Sequence, residues 1–178
     1  MDASGVHLEF GKIFIHAFNR GIDRRQIFKN SANYRYFLAT MTENLNKHPV
    51  RIVAYCLMLT HYHILARVDV PQALSKLIQN ALNRYVQAYN KQEGRSGPLF
   101  DGKVKYRLVE NAQDVFQIAR YIHLNPVTAG MVERPQDWEF SNYREWIDFR
   151  SGQLVDRALI DEFFDAHGYE AYVLEARE

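Results

Sequence analysis

Residues 50–70 read VRIVAYCLMLTHYHILARVDV, and the architecture follows from how this stretch divides. Residues 50–59 and 61–70 read as two β-branched strands, close enough to pair as a hairpin. Side chains two apart in a strand project to one side. His61, His63, Leu65 and Arg67 therefore share a face, while Tyr62, Ile64 and Ala66 point into the core beneath the helices. One imidazole in such a run can be an accident of packing; two on one side need a reason. The polar set is expected on the open face of the sheet, where a substrate could reach it.

Outward from this hairpin, KIFIHAFNR (12–20) alternates as a first strand, followed by a basic loop, RGIDRRQIF. A helix is expected over 31–47, with Ser31 as N-cap and Tyr34, Phe37, Leu38, Met41 and Leu45 at helical spacing. Pro71 opens a second helix running to about Asn90, with Leu74, Leu77, Ile78, Ala81, Leu82, Tyr85 and Val86 on its buried side. KQEGRSGPLFDGK (91–103) has the composition of a loop, and residues 103–110 alternate as a fourth strand. A last helix covers about 112–124 and is expected to stop before Pro126, because the residue ahead of a proline is pushed out of the α region. Strand–helix–strand–strand–helix–strand is the order of an α+β, ferredoxin-like split βαβ fold, an antiparallel sheet with helices on one face.

The formal net charge of +1 hides an asymmetry. Residues 1–132 carry 17 Lys/Arg against 9 Asp/Glu, net +8, and residues 133–178 carry 5 against 12, net −7. The division predicts a polyanion-binding body over 1–132, with an acidic, aromatic-rich extension over 133–178 folded against it. No stretch approaches the roughly 20 apolar residues of a membrane span, and the N-terminus lacks a signal-peptide pattern. A single cysteine, Cys56, excludes a disulfide framework and a cysteine-based zinc site. The expected compartment is the cytoplasm, with no membrane partner.

His61 and His63 at this spacing can grip one divalent cation, but two ligands hold it poorly; read blandly, both are structural or solvent-facing histidines. FQIARYIHLNPVTAG (116–130) adds to the picture. Tyr121 and Asn125 are four apart and share a helical face. Asn125 could lend an amide oxygen as third ligand and Tyr121 could stand beside the metal. Alternatively, Tyr121 is a core aromatic and Asn125 a helix cap ahead of Pro126. His123 lies on another side of the helix and is not ranked as a ligand.

Four strings in order, AYCLMLTHYHIL, GPLFDGKVKYRLVE, ARYIHLNPVTAGMV and WEFSNYREW, resemble the single-tyrosine transposases of the HUH endonuclease superfamily. The chain is most similar to the REP-associated, IS200-like (transposase-17) type, from about Lys12 to Ile147. That resemblance implies the HUH fold for residues 1–132, Tyr121 as nucleophile, and His61, His63 and Asn125 as ligands of Mg2+ or Mn2+. It further implies cleavage and rejoining of single-stranded DNA through a 5′-phosphotyrosine intermediate, as in transposition of hairpin-flanked elements. Leu59 and Thr60 stand where relatives usually carry Pro and Asn, and Tyr62 replaces a small aliphatic; neither change removes a ligand. A metal suits the chemistry, because a phenol is a weak nucleophile near neutral pH and a Lewis acid eases attack on phosphate.

Single-stranded or hairpin DNA is the expected partner. Arg84, Lys91, Arg95, Lys103, Lys105 and Arg107 are interleaved with Tyr85, Tyr89, Phe100 and Tyr106, the usual recipe for single strands. Arg20, Arg24 and Arg25 form a second candidate phosphate contact. A non-cleaving hairpin-binding protein and a replication- or conjugation-type nickase are the rival functions. Monomer and homodimer both remain compatible with the sequence.

Overall fold

The computed structural model describes residues 13–152, 154–161 and 166–175. Four antiparallel strands, β1 (Ile13–Arg20), β2 (Val50–Leu57), β3 (His61–Val68) and β4 (Lys105–Val109), pair in the order β2-β3-β1-β4. Helices α1 (Ser31–Leu45) and α2 (Pro71–Gln92) cover one face, as the split βαβ pattern predicts. Tyr62, Ile64 and Ala66 lie beneath them and are almost wholly buried, together with Phe37, Met41, Leu77 and Ile78. Burying a large apolar side chain contributes about 1.5–3 kcal/mol, so this apolar layer is the fold's main anchor.

The opposite face is not open throughout. Helix α3 (Ala112–Thr128) lies across it, packing Val115, Ala119 and Ile122 on Phe14, Leu65 and the β2 residues Val53, Ala54 and Cys56. Past α3, the chain forms the short helices α4 (Tyr143–Trp146), α5 (Arg157–Asp161) and α6 (Ala166–Leu174). Tyr143, Trp146, Ile160, Tyr169 and Val173 of these helices join the same second core. Asn142 holds the segment to β2: its side-chain oxygen accepts from Tyr55 N at 2.6 Å, and its Nδ2 donates to the Val53 carbonyl at 2.9 Å. No described helix is long and apolar enough to cross a membrane.

Several element ends shift by a few residues from the sequence expectation, and two of the shifts have a clear physical reason. Asn30, not Ser31, caps α1, its side chain accepting from Asn33 N at 3.0 Å, so Ser31 is the first helical residue. Helix α3 does not stop before Pro126 but continues through it to Thr128. Proline forfeits one bond to the turn before it, yet the next turn closes normally, with Ala129 N on the Asn125 carbonyl at 2.9 Å. Ile122 and His123 are fully buried, and that anchorage outweighs the local preference of the residue ahead of proline. Gly130, at φ 66°, takes the left-handed conformation that ends the run.

Candidate active site

Strand register assembles the site. Along β1–β3, Phe18 faces His63 and Arg20 faces His61; along β1–β4, His16 faces Arg107 and Phe18 faces Lys105. Paired residues share a sheet face, so three strands present His16, Phe18, Arg20, His61, His63, Lys105 and Arg107 toward the side where α3 crosses. The turn that aims His61 is tied down from two directions. Thr60 O accepts from Gly21 N and Leu59 O from Ile27 N, both at 2.8 Å, while Thr60 Oγ1 lies 3.2 Å from His61 Nδ1. The backbone carbonyls of Leu59 and Thr60 thus keep the turn in place. Gly21 serves packing, since a Cβ there would collide with the Arg25 carbonyl and Ile27.

The two imidazoles stand edge to face, ring centroids 5.2 Å apart. His63 is buried and His61 half-buried. Burial lowers the pKa of both; His16 and His61 push His63 down further, and a hydrogen bond from His61 to Asn125 partly offsets the effect on His61. Both rings are therefore neutral near pH 7, the form that ligates metals. Asn125 donates its Nδ2 to the Tyr121 carbonyl at 2.8 Å, which leaves its amide oxygen as the atom facing His61. Tyr121 is 54% exposed, and its ring stands edge-on to His63 at 5.4 Å. It is not a core aromatic, and Asn125 is not a cap, because the helix runs on past it.

Tyr121 stands between two clefts. One, of about 450 Å³, is lined by Phe18, Arg20, Arg24, His61, His63 and Lys105; the other, of about 370 Å³, by His16, His63, Arg107, Asp114 and Gln117. Among the described residues, no three of His, Cys, Asp and Glu converge as a metal-binding group. A cation here would need the Asn125 amide oxygen beside the two imidazoles. That donor set of two nitrogens and one oxygen, with room left for phosphate, would suit Mn2+ better than Mg2+, which prefers oxygen ligands throughout.

The basic residues predicted to bind DNA divide. Arg20, Arg24 and Lys105 line the first cleft and Arg107 the second. Arg20 pairs with Asp101 at 3.2 Å. Arg25, Lys91 and Lys103 are exposed outside the clefts. Arg84 is ion-paired to Glu43 on the α1–α2 side of the sheet. Arg95 braces its own loop, reaching Asn90 Oδ1 and the Pro98 carbonyl at 3.0 Å each. Of the interleaved aromatics, Tyr85, Tyr89 and Phe100 are buried, and Tyr106 alternates away from Lys105 and Arg107. Sequence reading missed His16, whose Nε2 lies 2.9 Å from His63 Nδ1. An imidazole between Phe14 and Phe18 on one face of an alternating strand was the available signal.

Residues 10–125 match the family model described as IS200-like transposase. In shape, the chain is similar to a REP-associated tyrosine transposase solved bound to a REP hairpin, with a TM-score of 0.66 and 17% identity over 88% of this chain and 94% of that one. A putative transposase from Deinococcus radiodurans R1 aligns with a TM-score of 0.46 and 18% identity, over 66% of this chain and 92% of that one. No curated protein sequence matches.

Proposed function

The chain belongs to the IS200-like transposase family, and from that premise we propose that it cleaves and rejoins single-stranded DNA beside a hairpin, with Tyr121 as nucleophile. Membership implies DNA transposase-type activity; the finer reading rests on one observation above the others. An exposed phenol on α3 stands edge-on to His63, in the cleft that His61 also lines, with Asn125 one turn along the same helix. His61, His63 and Asn125 are the residues that would hold a divalent cation. Bound there, Mg2+ or Mn2+ would supply Lewis-acid stabilisation of the charge that builds on the scissile phosphate.

Tyr121 Oη attacks phosphorus, the bond to the 3′-oxygen breaks, and the 5′-phosphate stays on the tyrosine. The covalent link conserves the energy of the phosphodiester, so an incoming 3′-hydroxyl can reverse the step without ATP. Arg20, Arg24 and Lys105 on one side of Tyr121, and Arg107 on the other, suit a strand whose backbone passes the phenol. The hairpin held by the similarly folded transposase supports a hairpin-bearing substrate.

A 3′-labelled single strand carrying a hairpin, incubated with the protein and Mn2+, should give a slow band on a denaturing gel. Tyr121→Phe should abolish that band while native binding stays within about threefold, because an exposed hydroxyl contributes little to folding. Undiminished cleavage by the variant defeats the assignment. Binding without any adduct, indifferent to Mn2+, would favour the non-cleaving hairpin binder.

A further inference from the structure

His63 carries a contact that the proposed chemistry does not use. Its Nδ1 lies 2.9 Å from His16 Nε2, the ring centroids are 5.1 Å apart with the planes 29° from parallel, and both residues are about 6% exposed. The pair is diagonal across β1 and β3, since His16 sits opposite Leu65 and Phe18 opposite His63. Phe18 closes on both rings, at 5.0 Å from His16 and 5.8 Å from His63. One side of the imidazole of His63 is therefore committed to a protein partner, and only Nε2 remains to ligate.

A neutral imidazole has one N–H and one lone pair. For Nε2 of His63 to offer its lone pair, Nδ1 must keep the proton and donate it. Metal-bound histidines usually make that second bond to a carboxylate or a backbone carbonyl; here the facing atom is another imidazole nitrogen. We propose that His16 is a positioning residue for His63: it accepts the Nδ1–H bond, fixing the tautomer and ring orientation that leave Nε2 available to the cation. This rests on reading His63 as a ligand. It assigns a task to a residue outside the proposed ligand set of His61, His63 and Asn125.

Two measurements separate this role from simple space-filling. In metal-free protein near pH 7, long-range 15N–1H correlation of the imidazoles should report His63 as the Nδ1–H tautomer, and His16 as the same tautomer with an accepting Nε2. Mn2+ affinity, read by the electron paramagnetic resonance signal of free Mn2+, should fall by about 10–100-fold in His16→Phe, the usual effect of removing a ligand's outer partner. His16→Gln, which restores an acceptor oxygen, should recover most of that loss. His63 found as the Nε2–H tautomer in the wild type overturns the proposal whether or not the variants fold. So does unchanged Mn2+ affinity in a folded His16→Phe. The ligand reading is tested apart by His63→Ala, because Mn2+ binding undiminished there removes His63 from the site while the wild-type tautomer still decides what His16 does.

Discussion

His123 and His63 are both buried imidazoles whose charged form burial disfavours, yet one is structural and the other faces a cleft. His123 has both ring nitrogens committed. Asn142 donates its Nδ2 to Val53, so its oxygen must be the atom 2.9 Å from His123 Nε2, which therefore donates. His123 Nδ1 is then the acceptor for the Tyr169 hydroxyl at 2.7 Å. Tyr143, Trp146 and Tyr169 rings close the shell. His63 has one nitrogen engaged by His16, and its ring lines both clefts beside Tyr121. A depressed pKa alone does not mark a site; the difference lies in the nitrogen left over.

The two are nonetheless coupled through α3. His123 is two residues from Tyr121, and through Asn142 it joins the tyrosine-bearing helix to the backbone of β2. The network thus adds to the apolar packing that seats α3, the helix bearing Tyr121, on the sheet.

The comparison can be broken most sharply by truncating each histidine. His63→Ala should reduce adduct formation by at least about 100-fold, as several kcal/mol of charge stabilisation disappears, while the protein stays folded by circular dichroism. His123→Ala should instead cost about 3 kcal/mol in urea unfolding, because it leaves a cavity and removes two buried hydrogen bonds, to Asn142 and to Tyr169. Equal stability losses in the two variants would erase the distinction.

A pH series sharpens it. Burial lowers His123 from 6.5 to about 4, opposed only in part by its bond to Asn142. The unfolded chain binds the proton more readily, so this contribution is complete above pH 6.5 and is lost as pH falls toward 4. Over that window it amounts to about 3 kcal/mol. Metal-free wild type should lose stability there, and His123→Gln should show a shallower slope; parallel curves would refute the assignment.

The smallest effect concerns the basic residues. Lys105→Ala should lower the slope of log affinity for DNA against log salt by about 1, as one phosphate contact goes. Arg84→Ala, on the far side of the sheet and paired to Glu43, should leave that slope unchanged. A reversed order would move the DNA path onto α2.

Much of the fold was legible because it is local. Alternation along β3 separates Tyr62, Ile64 and Ala66 from His61 and His63, Pro71 sits at the first turn of α2, and Tyr121 and Asn125 fall on one helical face. The continuation of α3 through Pro126 was not legible, because tertiary burial of Ile122 and His123 overrode a local preference. Neither was the dispersal of the basic run, since adjacency from Arg84 to Arg107 says nothing about which side of a sheet each cation reaches.

By itself, the sequence determined the strand and helix periods, the histidine spacing and the tyrosine–asparagine pair, because each depends on side chains within a few residues of one another. Only the tertiary structure decided that His16 meets His63 across 47 residues, that α3 roofs the second face, and that Asn142 bolts it there. Those outcomes come from strand register and competition for buried hydrogen-bond partners, which no local pattern encodes.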